Sequence, residues 1–511
     1  MRYFRVSGIS LRENRDDTHI EELQLKCELS VLFNEWFRHF LLDASEKGTF
    51  FMQRALKLVL IIFFATMNLI AGPEKFSQAR MYEPVVLTGA DLSDIIGISP
   101  QEISGFRYSA TQDKWTQIPV QVDERKYMDL SVPPGKRKHP AADYVYVGFS
   151  GGILGSQLAR DSDPRFDADD ELVFMVEDAG DKAPAAVSPP EGARQKRLEI
   201  AVSDPSKPGA AAFVYLFRAP GLTKKMRNLT YHLMDTREHS AVVETDFYRV
   251  NYSRRWVLDQ IRIKNSMQGS GEDLIDQVKF RAYGLTPQPS RKMGMFNETE
   301  EFWSDGPGKC RFSPKSGCSW YLGHKVGPVR IIRMVQGAAS GPTTSYFAYF
   351  YRKMFEVQVN YRVHPLPNLW FYLDYDSELA NPKFYDSEND AVAIDGRHDS
   401  VRPASHNTWG QMSSSAGSIV TWMDLDAFRG LGRKLRIAPY YLDDRNFNDL
   451  TGDGHAMGNH GVHITNIPDT DKLKAVVARF KVFMLPANSG SGGGRIAKNM
   501  QNPLQVSVRG M

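Results

Sequence analysis

The chain has 511 residues, 42% of them hydrophobic and 24% charged, enough apolar sequence for large cores and for two or more domains. A formal net charge of +3 excludes the broad positive field of a nucleic-acid or membrane-surface protein, so no nucleic-acid partner is expected. Only three cysteines are present, which excludes a cysteine-rich metal or disulfide scaffold.

Residues 1–51 mix apolar and charged positions and precede a basic run that begins at Met52. The apolar block 58–72 and the small-residue exit at Ala79 follow that run, which is the grammar of a signal peptide over 52–79. Asn68 and Pro73 interrupt the block, so no stable transmembrane anchor is expected once the signal is removed. On this reading translation starts at Met52, residues 1–51 are a misassigned leader, and the protein is exported, periplasmic or extracellular.

Beyond residue 80 the dominant period is two. Short segments rich in β-branched and aromatic residues, bounded by Gly, Pro, Asn or Asp, recur at 118–122, 144–149, 171–176, 198–202, 213–217, 256–263, 355–363, 418–423 and 476–484. Helical patterns are confined to short stretches near 91–96 and 470–474. The pattern predicts an all-β fold, an antiparallel β-sandwich or super-sandwich with few short helices. A Pro/Ala-rich stretch at 181–196 reads as a linker between an N-terminal β-module, 80–180, and a large sandwich domain, 197–487. The glycine-rich run opening 488–511 reads as the start of a flexible tail.

Two phrases in the first module carry a resemblance. Trp115-Thr-Gln-Ile-Pro-Val-Gln-Val-Asp-Glu124, with Asp161 to Met175 and Asp178-Ala-Gly180, is similar to the N-terminal β-module of several groups of secreted bacterial proteins. Some of these are uncharacterised, and others are polysaccharide lyases of the galactose-mutarotase-like super-sandwich type. Gly327-Pro-Val-Arg-Ile-Ile-Arg333, Ser340-Gly-Pro342, Tyr361-Arg-Val-His364 and Val392-Ala-Ile-Asp-Gly396 resemble the uncharacterised group. The resemblance implies fold and secretion and supplies no catalytic residues.

In an oxidising compartment Cys310 and Cys318 read as a disulfide, worth about 2.5 kcal/mol by loop closure. Two Asp-rich loops offer oxygen-only ligands that suit calcium, and no other cofactor is indicated. One holds Asp161, Asp163, Asp167 and Asp169; the other, Asp449-x-Thr451-x-Asp453-Gly454, has the one-three-five spacing of a cation loop. A solvated, turn-shaped loop explains the same residues. His455, His460 and His463 fall within a nine-residue stretch whose glycines deny a zincin helix, and they are expected to supply a polar site.

The aromatic region that follows residue 346 places Trp370 and Tyr372 as candidate sugar-stacking residues beside His455 and His463 as ligand contacts, with core packing as the alternative for most aromatics. Three functions remain open. The first is a secreted binding or scaffold protein, with a glycan as partner. The second is a polysaccharide lyase using Arg333 for the uronate carboxylate and Tyr361, His364 or His460 for the proton. The third is an envelope assembly protein without ligand chemistry.

Overall fold

A computed structural model describes residues 76–129, 142–152, 163–236, 239–282, 319–337, 344–362, 365–399, 401–402, 409–447, 452–470 and 475–510. All belong to the compact unit Lys75–Met511. The leader, the apolar block 58–72, Asp161, Cys310, Cys318, His364, Asp449, Thr451 and residues 471–474 lie outside the described residues. Among the described residues, no helix is long and apolar enough to cross a membrane.

The fold is all-β and antiparallel. Its central layer is a nine-stranded sheet that includes Ser319–Val326, Ile331–Gly337, Thr344–Phe350, Met354–Tyr361, Val476–Leu485 and Ser418–Asp424 in spatial order. Because successive side chains alternate between faces, each strand feeds two cores. Ile331, Val335, Phe355, Val357 and Phe480 pack on one side against two four-stranded sheets, through residues such as Val250, Ile261, Phe371 and Val462. Ile332, Met334, Phe347 and Phe483 pack on the other against Val145, Tyr146, Val173 and Met175. This double burial explains why Ile331–Gly337 and Thr344–Phe350 show no exposed face and are mainly apolar, with Arg333, Gln336, Thr344 and Ser345 as buried polar exceptions.

A second sandwich sits at the N-terminal end. The strands Pro84–Thr88, Glu171–Met175 and Gln121–Asp123 form one sheet; Gln505–Gly510, Arg197–Ser203, Ala211–Arg218, Ile103–Ser109 and Lys114–Ile118 form the other. Val85, Leu172 and Phe174 meet Ile200, Val202, Val214 and Leu216 between them. The expected strand at 118–122 is split at Pro119, which has no N–H to give to a ladder, and its halves enter different sheets.

Three expected boundaries are corrected. Arg197–Ser203 pairs with Ala211–Arg218, which in turn pairs with Ile103–Ser109, so the N-terminal module does not end at residue 180. The 181–196 stretch lies along the outer face of that sheet, where Ala183 is buried beside Tyr215 and Phe217 and its N–H donates to the Tyr215 hydroxyl at 2.7 Å. The 488–511 segment is not a loose tail: it forms the helix Gly493–Gln501 and the strand Gln505–Gly510, which pairs with Arg197–Ser203. Gly493 is required there for close approach, since a Cβ would lie 2.8 Å from Gln411 and Trp409 side-chain atoms. At the other end Phe76 is 1% exposed within the module core, so the folded body begins ahead of residue 80.

One polar cluster joins the two sandwiches. Arg330 donates to Asp123 at 2.8 and 3.0 Å and to Glu171 at 2.5 Å, and Gln121 Oε1 accepts the Val329 and Arg330 N–H groups, each at 2.9 Å. Burial works to raise the Asp123 pKa, but Lys325 and Arg330 prevail and hold it down at about 2. Gly327 has no room for a Cβ, which would sit 2.2 Å from Gln121. Arg330→Met would remove the cation that Asp123 and Glu171 share, leaving only Lys325 and Arg125 to counter them. It is expected to cost about 3–5 kcal/mol of unfolding free energy, read from urea midpoints. A loss below about 1 kcal/mol would show that the cluster does not hold the layers together.

Candidate functional site

The strands Ser319–Val326 and Ile331–Gly337 form a hairpin in which His324 stands opposite Arg333. In a regular strand Tyr321 and His324, three apart, would point to opposite faces. A β-bulge between Tyr321 and Gly323 adds one residue and changes that. Leu322 turns into the core beneath the sheet, while Tyr321 joins Ile331 and Val335 on the opposite core face. The edge strand is closed by Ser150, which exchanges backbone hydrogen bonds with His324 at 2.7 and 3.0 Å. A Cβ on Gly151 would lie 3.5 Å from the Tyr321 ring and 3.8 Å from that of His324, and a Cβ on Gly152 would lie 2.5 Å from the Leu322 backbone.

A hydrogen-bond chain runs outward from this hairpin. Arg333 is fully buried; it donates through one terminal nitrogen to the Tyr231 hydroxyl at 2.8 Å and through the other to the carbonyls of Arg255 at 2.8 Å and His239 at 3.2 Å. Its charge lies 4.5 Å from the Tyr252 ring centre and 4.8 Å from that of Tyr321. Its Nε has no partner among the described residues. The Tyr231 and Tyr321 hydroxyls are 3.0 Å apart, and the Tyr321 hydroxyl is 2.7 Å from His324 Nδ1.

Proton positions follow from the chemistry of the groups. A guanidinium only donates, so Tyr231 accepts from Arg333 and passes its own proton toward Tyr321. Tyr321 then donates to His324 Nδ1, which leaves the imidazole with its proton on Nε2. Burial first, and then the Arg333 charge, pushes the His324 pKa down to about 4, so the ring is neutral at neutral pH. Burial raises the Tyr321 pKa far above that of an ordinary phenol, which opposes a phenolate there. The half-buried ring of His324 stacks on Tyr231 at 4.0 Å and 16°. Beside it, His239 adopts a left-handed backbone (φ 56°), and Arg255 Nε donates to its Nδ1 at 3.0 Å. The arrangement offers an N–H donor, an aromatic platform and nearby guanidinium charge.

Of the residues singled out in the sequence, Arg333 belongs to this site. The three clustered histidines do not share a centre, because strand alternation disperses them. His460 is 3% exposed, with Nδ1 2.6 Å from the Tyr375 hydroxyl and Nε2 2.6 Å from Thr421 Oγ1, and burial pushes its pKa down to about 3. It is so close to Gly410 that a Cβ there would lie 2.5 Å from the imidazole. His463 faces the other way, stacked on Trp370 at 4.3 Å and bonded to Asn368 at 2.8 Å. His455 precedes the strand and bonds to the Arg445 carbonyl at 2.8 Å. Trp370, Tyr372 and Tyr361 are each 1% exposed or less, which leaves none of them a free face for a sugar ring.

The acidic loops are arranged by hydrogen bonds of their own. Asp167 accepts the Asp169 N–H at 3.1 Å, Asp163 accepts the Arg165 N–H at 3.2 Å, and Asp170 accepts from Asp167 and Arg125. Arg125 also donates to the Asp169 carbonyl and pairs with Glu171, which places a cation beside the loop. Among the described residues, the carboxylates that converge closely enough to hold a cation are Asp276, Asp374 and Asp453. Lys279 already sets its ammonium 2.5 Å from Asp374 and 3.0 Å from Asp276.

Tyr231, His239, Arg255, Tyr321 and His324 were not singled out from the sequence. A signal existed for one of them. Reading 319–337 as a hairpin about Gly327-Pro328 sets His324 opposite Arg333, but only the bulge, invisible in composition, brings Tyr321 alongside.

His324 and His460 both have folded pKa values below the ordinary 6.5 of histidine. Between pH 6.5 and about 4 the unfolded chain therefore binds more protons than the native state, and stability falls as pH is lowered through that window. His460→Gln is expected to flatten the fall in unfolding midpoint between pH 6.5 and 4. An unchanged slope would show that His460 titrates alike folded and unfolded.

No family model matches this chain, and no curated protein matches it. Among solved structures, the protein HI1317 is similar with a TM-score of 0.27 at 7% identity, over 50% of this chain and 99% of that one. The 4-alpha-glucanotransferase from Thermococcus litoralis gives 0.26 at 7% identity, over 51% and 40%. A copper-containing benzylamine oxidase from Hansenula polymorpha gives 0.27 at 9% identity, over 82% and 81%. Likeness at this level carries no argument about ligand or reaction.

Proposed function

We propose that this protein is an exported β-sandwich protein that binds carbohydrate, with acidic sugars as its ligand class, at the His324 site. The observation that carries the reading is the chain Arg333–Tyr231–Tyr321–His324, which engages Nδ1 of a half-buried, neutral imidazole and leaves its proton on Nε2. A neutral donor beside a stacked aromatic pair and guanidinium charge suits the oxygen atoms and the carboxylate of a uronate. The basic run and apolar block at 52–79 support export.

Retardation in native gels cast with uronate-containing polysaccharides tests this. Wild-type mobility should fall in at least one such gel, and His324→Ala should weaken retention about tenfold, the worth of one hydrogen bond to a charged group. Unchanged wild-type mobility with every acidic polysaccharide would overturn the reading.

A lyase is the second reading, favoured by the 2.7 Å contact between Tyr321 and His324 beside Arg333, which is a path for a proton. The raised Tyr321 pKa speaks against a phenolate base, which is why binding stands first. Ultraviolet absorbance from an unsaturated uronate, produced by wild type and absent with Tyr321→Phe, would reverse that order.

A further inference from the structure

A cavity of about 260 Å³ opens in the N-terminal sandwich, far in the sequence from the His324 hairpin. Arg194, Lys196, Arg197 and Arg218 line it together with the apolar side chains of Ile95, Ile98, Leu198 and Leu216, and Asp94 is the one carboxylate in its wall. We infer that this cavity binds a compact amphipathic anion, with the charged head at Arg194 and Lys196 and the apolar body against Ile95, Ile98, Leu198 and Leu216.

The division of labour among the four cations supports this orientation. Arg218 is committed to Glu102, whose pKa it lowers through their hydrogen bond. Arg197 is 6% exposed, lies over the Tyr215 ring at 5.3 Å and donates to the Pro184 carbonyl at 2.8 Å. Arg194 and Lys196 are exposed, and among the described residues neither side chain has a hydrogen-bond or ion-pair partner. The segment that carries them is nevertheless fixed, because the Arg194 N–H donates to the Arg218 carbonyl at 2.9 Å. Two cations without hydrogen-bond or ion-pair partners among the described residues, of which Arg194 also lends its charge to Glu102, are thus held at the mouth of a space whose floor, Leu198 and Leu216, is 2–3% exposed. Open space against apolar side chains forfeits the dispersion contacts that a packed interior would make, and a hydrocarbon body restores them. The volume lies just below the usual range for small-molecule pockets, which limits the guest to a short chain or one ring.

The probe is octanoate, titrated calorimetrically into the full chain, with shorter carboxylates, 1-octanol and inorganic phosphate as comparisons. Octanoate should bind saturably, and affinity should rise about threefold to fourfold per methylene from butanoate upward. Arg194→Glu with Lys196→Glu should weaken octanoate at least tenfold, an effect diminished by added salt. Ile98→Trp, which fills the cavity without touching a charge, should abolish binding while the unfolding midpoint stays near wild type. The inference is overturned by non-saturable octanoate binding, by 1-octanol binding as tightly, by phosphate alone binding as tightly, or by full affinity in the Ile98→Trp protein. None of these readouts involves polysaccharide, so the carbohydrate reading stands or falls separately.

Discussion

The molecule depends on a buried cation placed between two layers. Arg330 leaves a hairpin turn of the nine-stranded sheet and enters the N-terminal sandwich, where Asp123 and Glu171 come from two paired strands. Taking three charges out of water is unfavourable unless each is fully paired, and the pairing here is dense. Tyr146 donates to Glu171 at 3.0 Å, Lys325 stands 2.9 Å from Asp123, and the Tyr349 ring lies 4.9 Å from the Arg330 charge. An arrangement with so many simultaneous geometric demands fixes the angle and register of the layers. The apolar contacts between Val173 or Met175 and Ile332 or Met334 would tolerate sliding; the ion cluster does not.

This cluster also gives a physical meaning to the phrases 115–124, 161–175 and 327–333. Gln121 and Asp123 come from the first, Glu171 from the second, and Gly327 and Arg330 from the third. The three phrases meet in space, so their residues answer to the joining of layers and say nothing of chemistry on a substrate.

Strand identity was legible because a half-buried strand writes its two faces into alternate residues and a fully buried one into β-branched runs. The segments around 171–176, 213–217, 418–423 and 476–484 sit within strands for that reason. Sheet membership was not legible. Proline and alanine at 181–196 resemble a solvent-bathed linker, yet Ala183 and Val187 cover an aromatic face that a local reading cannot see. Glycines in 488–494 resemble a flexible tract, yet Gly493 is there for a close approach, and the Val506 and Val508 alternation beyond it was the better guide. The candidate site was legible at Arg333 alone. Proximity in sequence favoured the three histidines near 460, whereas the His324 site is assembled from segments near residues 150, 231–239, 255 and 321–333.

Arg80 ties the beginning of this body to its end. Its guanidinium binds Asp204 and Glu83 and donates to the carbonyls of Asn499 and Asn502, at the close of the last helix. A few residues later the final strand, Gln505–Gly510, takes its place beside Arg197–Ser203. The five-stranded sheet therefore lacks its edge strand, and Arg80 lacks half its partners, unless residues 499–510 are in place. Closure of this body is thus a contact between residues 419 and 422 positions apart, and completing it waits on the closing of a very long loop, not on local hairpins.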